Sequence, residues 1–294
     1  MVPLAINVPA GKPRKPFSLW RRVARFVAMV TLGFLGLLTA CQSRLIYHPS
    51  AYGNGEPAAF AARGGQRLDF TTSEGKQSAW LIPPRDGKRV DHLWIVCGGN
   101  FAHALDMEQF CRSLPFEGDA FLLVDYPGYG ECQGSPHPSR IRESMRAVIP
   151  LAAQSLDLEA AEIQRRTCVF GHSLGCAAGL IAAEEFGLRR AVLLAPFTST
   201  MEMAKVLLRL PLGFLVWHRF DNRDGLAAMQ KCHGRAWIFH GTADNIVPPA
   251  MSQTLAEEFG GTVTRVEVPG AGHNDLFGSG TPRIIGAMAE ARRQ

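Results

Sequence analysis

The sequence predicts an α/β fold: a mostly parallel central sheet flanked by helices, with a short helical cap insertion. Three observations predict it. From His92 onward, short apolar runs rich in β-formers alternate with helical stretches. Several of these runs open into glycine-rich loops, at Cys97-Gly98-Gly99-Asn100, at Asp125 to Glu131 and at Pro269 to His273. The third is the stretch Thr167 to Cys176, in which an apolar strand meets Gly-His-Ser-Leu-Gly and an Ala- and Leu-rich helix follows. Strand, sharp turn and helix put Ser173 at an apex, and Gly171 and Gly175 supply the small neighbours that such a turn needs.

Taken in order, residues 42–65 carry Tyr47, Pro49, Gly53, Gly55 and Pro57 and read as an extended leading segment without a regular element. Arg67 to Thr71 and Gln77 to Ile82 form a hairpin or edge pair, turned at Ser73-Glu74-Gly75 and stopped by Pro83-Pro84. His92 to Val96 is a central strand, Ala104 to Leu114 a short helix, and Asp119 to Val124 the next strand. Helix returns from Ile141 to Ala153, and after the strand at Cys168 it covers Cys176 to Glu185. Arg190 to Leu194 is again strand. The alternation then breaks between Thr198 and His233. There Met201 to Leu210 is amphipathic and apolar, Pro211 and Gly213 end it, and Phe214 to Trp217 adds a second apolar patch before a polar run from His218 to Asp224. This insertion reads either as a cap over the active edge of the sheet, with Met201–Trp217 lining a pocket, or as ordinary core helix. The pattern resumes with strand Arg235 to Phe239, helix Pro249 to Glu258, strand Val263 to Val268 and a closing helix from Ile284 to Ala291. The expected division is 1–40 as a leader, 41–65 as the leading segment and 66–294 as one domain with a cap at 198–233.

Charge separates the N-terminus from the rest. Residues 1–40 hold six basic residues (Lys12, Arg14, Lys15, Arg21, Arg22, Arg25) and no acidic one. Without these six of its 31 basic residues the chain has 25 against 26 acidic, a near-neutral body that makes no case for nucleic-acid binding. The basic residues precede an apolar run, Phe26 to Ala40, short for a membrane span and ending in Leu38-Thr39-Ala40-Cys41. That ending resembles the lipobox of bacterial lipoproteins, which implies lipidation of Cys41 as the first mature residue and a lipid anchor in the bacterial envelope, facing the periplasm. Gln42 after the cysteine resembles the outer-membrane-sorted class. An uncleaved signal anchor and plain secretion are the alternatives. The other cysteines lack C-x-x-C spacing, so no zinc site or redox pair is implied, and no more than one disulfide is expected.

A serine hydroxyl is a poor nucleophile at neutral pH and needs a base within reach, usually steadied by a carboxylate. Asp244 follows the strand Arg235–Phe239 and His273 follows Val263–Val268, so both fall beyond carboxyl ends of strands, where open α/β sheets build their sites. Asp275 and Asp125 compete with Asp244 for the acid, and Asp244 could instead cap the helix near Pro248. His172 and His240 read as structural. No run of Asp, Glu or His has metal-ligand spacing and no G-x-G-x-x-G opens a helix, so neither a metal nor a nucleotide cofactor is implied.

From about Arg44 onward the chain resembles α/β-hydrolase-fold serine hydrolases, and is most similar to the branch of small membrane-associated α/β-hydrolase-domain proteins. The matching pieces are Leu45-Ile46-Tyr47-His48-Pro49, Gly98-Gly99-Asn100, Asp125-Tyr126-Pro127-Gly128-Tyr129-Gly130, Gly171-His172-Ser173-Leu174-Gly175, His240-Gly241-Thr242-Ala243-Asp244 and Gly272-His273. The resemblance implies Ser173 as nucleophile, Asp244 as orienting acid and His273 as general base. It also implies an oxyanion hole from the main-chain N–H groups of Asn100 and Leu174, with Phe101 as an alternative to Asn100. One departure bears on that hole: the family commonly has histidine where this chain has Gly98, which puts the positioning of the loop in question. The reaction implied is hydrolysis of a carboxylic ester or thioester through an acyl-enzyme. A serine peptidase and a catalytically idle, envelope-tethered binding protein are the alternatives.

Overall fold

The computed structural model describes residues 19–209 and 212–294. They fall into two units, the second beginning at Gln42. In the first, helix α1 (Leu19–Ala40) carries Arg21, Arg22 and Arg25 near its start and no charged residue from Phe26 onward. Lys12, Arg14, Lys15, Leu210 and Pro211 lie outside the described residues, as do the side chains of Leu38 and Ala40 in the lipobox and of Leu45. Among the described residues no helix is long and apolar enough to cross a membrane.

The second unit opens with helices α2 (Gln42–Ile46) and α3 (Glu56–Ala62), where the sequence predicts only extended chain. The proline read as a breaker is the reason for α3. Pro57 sits in its first turn, where a missing N–H costs nothing, behind a left-handed Gly55, and Phe60 anchors the helix edge-on to Trp80 at 5.5 Å. The strands are β1 (Gln66–Thr72), β2 (Gly75–Ile82), β3 (Leu93–Cys97), β4 (Ala120–Val124), β5 (Thr167–His172), β6 (Arg190–Leu194), β7 (Arg235–Gly241) and β8 (Val263–Val268). They form one eight-stranded sheet in the order β1-β2-β4-β3-β5-β6-β7-β8. Pairing is antiparallel from β1 through β2 to β4 and parallel from β4 to β8.

The intervening helices are α4 (Glu108–Ser113), preceded by a 3₁₀ turn at Ala104–Met107, α5 (Pro138–Ser155), α6 (Ala160–Arg166) and α7 (Leu174–Phe186). After β6 come α8 (Thr200–Leu208), a 3₁₀ turn at Gly213–Leu215 and α9 (Asn222–Lys231), then α10 (Pro249–Glu258), α11 (Leu276–Ser279) and α12 (Thr281–Ala291). Central strands are buried on both faces and divide their side chains between two cores. Leu93, Ile95 and Cys97 face the layer of α5, α7, α9 and α10, whereas Trp94 and Val96 face that of α3, α4, α11 and α12. All seven cysteines are free, and burial pushes the Cys97 thiol up to about 12.

The insertion after β6 is clipped shut at its base. Ser199 bridges Asp221, the Thr200 N–H donates to the Phe220 carbonyl at 3.0 Å and Asn222 Nδ2 donates to the Phe197 carbonyl at 2.6 Å. Beyond this clip the chain rejoins the helix layer, because α9 approaches α7 so closely that a Cβ on Gly225 would meet Leu180 Cβ at 2.6 Å. The excursion above the sheet is therefore shorter than 198–233 and ends at Asp221.

Candidate active site

The apex at Ser173 is built as its flanking glycines suggest. Ser173 has φ 55° and ψ −117°, a conformation that L residues rarely adopt. Its N–H donates to the Leu194 carbonyl at 2.8 Å, so the neighbouring strand β6 fixes the turn. A Cβ on Gly175 would lie 2.0 Å from the Cys97 carbonyl oxygen, and one on Gly171 would lie 2.6 Å from the Gly175 oxygen. Only glycine fits at either place. Leu174 begins α7, so its N–H has no acceptor within the helix and points with the helix's positive end toward the apex.

Loops after β7 and β8 bring Asp244 and His273 together. Asp244 Oδ2 accepts from His273 Nδ1 at 2.7 Å, and Oδ1 accepts the N–H groups of Ile246 and Val247, each at 2.9 Å. One carboxylate oxygen thus holds the histidine and the other closes the turn at Ile246 and Val247; Asp244 does not cap α10, which has no side-chain cap. Burial would raise its pKa, but hydrogen bonds from His240, His273 and the two N–H groups outweigh that and hold it well below the usual carboxylate range. His240, fully buried, places Nε2 at 2.9 Å from the Val247 carbonyl and 3.2 Å from Asp244 Oδ2, which braces the turn from behind.

The competing acids have other partners. Asp275 Oδ2 accepts from the Gly272 N–H at 2.9 Å. Asp125 accepts from the Tyr52 hydroxyl, from Trp80 Nε1 at 3.1 Å and from the Ala104 N–H at 2.8 Å, and ties the loop after β4 to the helix above it. His172 is also structural: Nε2 donates to the His273 carbonyl at 3.2 Å and steadies the backbone of that loop. Burial, and then the neighbouring His273, lower the His172 pKa to about 4.

Ser173, Leu174, His273, Asn100 and Phe101 all border one cavity of about 650 Å³. Without a histidine at Gly98, two tyrosines hold the loop after β3. The Tyr126 hydroxyl donates to the Gly98 carbonyl and the Tyr129 hydroxyl to Asn100 Oδ1, both at 2.7 Å. Asn100 also takes the His48 N–H at 3.1 Å and gives Nδ2 to the Ile46 carbonyl at 2.6 Å, locking the leading segment onto the loop. No sequence motif pointed to these tyrosine contacts. Met203, Ala204, Leu207 and Val216 from the insertion line the same cavity. Trp217 does not: it is 73% exposed and borders a second cavity of about 290 Å³ against α5 and α7, because the chain turns outward after Val216.

A carboxylate holding an imidazole by Nδ1 leaves Nε2 free to take a proton, in a cavity shared with a serine at a strand–helix apex. Residues 94–237 match the profile described as the alpha/beta hydrolase family. An uncharacterized protein of Mycobacterium tuberculosis is 30% identical over 255 residues, covering 86% of this chain and 88% of that protein. The chain belongs to the alpha/beta hydrolase family. The human alpha/beta hydrolase domain-containing protein 17B is 26% identical, over 74% of this chain and 78% of its own length. Among solved hydrolase structures, an esterase of Pyrococcus furiosus superposes with a TM-score of 0.63 at 16% identity, over 84% of this chain and 97% of its own. Est1E of Butyrivibrio proteoclasticus, solved with ferulic acid, superposes with a TM-score of 0.57 at 18% identity, over 77% and 100%. At such identities the likeness is one of fold.

Proposed function

We propose that this hydrolase cleaves carboxylic esters or thioesters through an acyl-enzyme on Ser173. The observation that carries the reading is the 2.7 Å contact between Asp244 and His273 Nδ1, set on the wall of the cavity that Ser173 also borders. Asp244 stays ionised, so His273 keeps its proton on Nδ1 and presents Nε2 as the base. His273 takes the Ser173 proton as the hydroxyl oxygen attacks the carbonyl carbon. The N–H groups of Leu174 and of Asn100 or Phe101 receive the oxyanion. The protonated His273 then gives its proton to the leaving alcohol or thiol, and water activated by the same imidazole releases the acid. The apolar wall of Met203, Leu207 and Val216 suits the acyl chain. That one of the structural neighbours is an esterase of Pyrococcus furiosus agrees with an ester substrate.

A fluorophosphonate tests this directly. It should label Ser173 and no other serine, Ser173→Ala should abolish labelling and turnover, and His273→Ala should lower turnover by about three orders of magnitude or more. An adduct mapped to another serine overturns the assignment. For location, the lipobox-like Leu38–Cys41 supports a proposal that Cys41 is lipidated and anchors the protein in a bacterial envelope.

A further inference from the structure

Among the described residues from Gln42 onward, six large hydrophobic side chains are exposed: Phe101, Val206, Leu207, Phe214, Trp217 and Ile246. A monomer normally scatters such residues over its surface. Here Phe101, Leu207 and Ile246 border the cavity of Ser173, while Val206, Phe214 and Trp217 stand on the insertion beside it. The insertion is also basic. From Ser199 to Asp221 it holds Lys205, Arg209 and Arg219, all exposed, against two acids, Glu202, which faces Arg223 at 3.4 Å, and Asp221, which accepts the Arg223 N–H at 3.0 Å at the start of α9. Asp106, the acid on the cavity wall, is committed to the His103 N–H at 3.0 Å. Apolar tips set among exposed cations, with the nearby acids held by other partners, is a composition that settles into an anionic lipid–water boundary. A second observation points the same way. Gln42, the first residue of the unit, is buried, and its amide binds the Leu215 carbonyl and the Trp217 N–H, the latter at 2.7 Å. The residue with which this unit begins is therefore held on the insertion itself.

We propose that the insertion and the rim of the cavity dock on an anionic lipid surface, with Leu207, Phe214 and Trp217 at the headgroup boundary. The cavity then opens toward the lipid. Docking rests on the surface alone and does not depend on the chemistry proposed for Ser173.

The test uses the full chain carrying Trp20→Phe. Trp80, Trp94 and Trp237 are buried, so Trp217 is then the exposed indole among the described residues. Vesicles of equal phosphatidylcholine and phosphatidylglycerol with brominated acyl chains should quench its emission, and Trp217→Phe should remove the quenched component. Phe214→Asp should weaken vesicle partition about tenfold. Lys205→Glu should weaken it about fivefold on anionic vesicles and leave binding to pure phosphatidylcholine unchanged. Both variants lie on exposed positions, and retention of the wild-type circular dichroism confirms their folding. Protein that sediments with vesicles while Trp217 stays unquenched would show attachment through the N-terminal segment alone and would overturn the proposal. So would a Trp217 that ignores vesicles but becomes shielded as protein concentration rises, the mark of a second copy on this face.

Discussion

His172 is the residue whose electrostatics make the sharpest demand on experiment. Its folded-state pKa of about 4 lies below the ordinary histidine value, so between the two the unfolded chain binds more protons than the folded one. Stability is then fully present above about pH 6.5 and falls as the pH drops toward 4, by roughly 3 kcal/mol over the window. Urea unfolding at neutral pH and near pH 4.5 should show this loss, and His172→Gln should remove most of it. A variant with the same acid limb as the wild type would place the titration elsewhere. Asp244 works in the same sense in a lower window: its depressed pKa gives stability that is lost only as pH falls below the ordinary carboxylate range, so the two limbs are separable.

The strands that lead to the candidate site were legible in the sequence because each is a short run bounded by glycine or proline, and because Ser173, Asp244 and His273 each follow such a run. Helices were harder. α6 is capped by a glutamate, Glu159, with Glu162 returning the bond, a pair that does not stand out as a start signal. α9 hides in a polar run because Asp221 caps it and its apolar residues, Leu226 and Met229, are sparse. The contacts that position the site were not legible at all: Tyr126 on Gly98, Tyr129 on Asn100 and His172 on His273 join loops far apart in the chain. At this scale the insertion makes a quantitative prediction. Each methylene buried against Met203, Leu207 and Val216 should add roughly 0.8 kcal/mol, about fourfold in kcat/KM per carbon, until the cavity is full. Leu207→Ala should flatten that rise for p-nitrophenyl esters more than it lowers turnover of the acetate. An acetate optimum with no slope to flatten would make the insertion a bystander.

For the molecule as a whole, expression in a bacterium should give a mature chain that begins at Cys41 and partitions into detergent, with Cys41→Ser accumulating as precursor. A different N-terminus by mass spectrometry would refute lipidation. The backbone at Ser173 carries a further consequence for the whole chain. A residue with φ 55° and ψ −117° opposes folding by about 1–3 kcal/mol, and glycine would relieve it at the expense of a more disordered unfolded state. Ser173→Gly should therefore raise the stability by about 1 kcal/mol and the Tm by roughly 2–4 °C while ending turnover. A mutant library screened for solubility alone should drift toward glycine at this position, and one screened for ester cleavage should never do so. Ser173 would then be a site where selection for function holds the sequence away from its most foldable form.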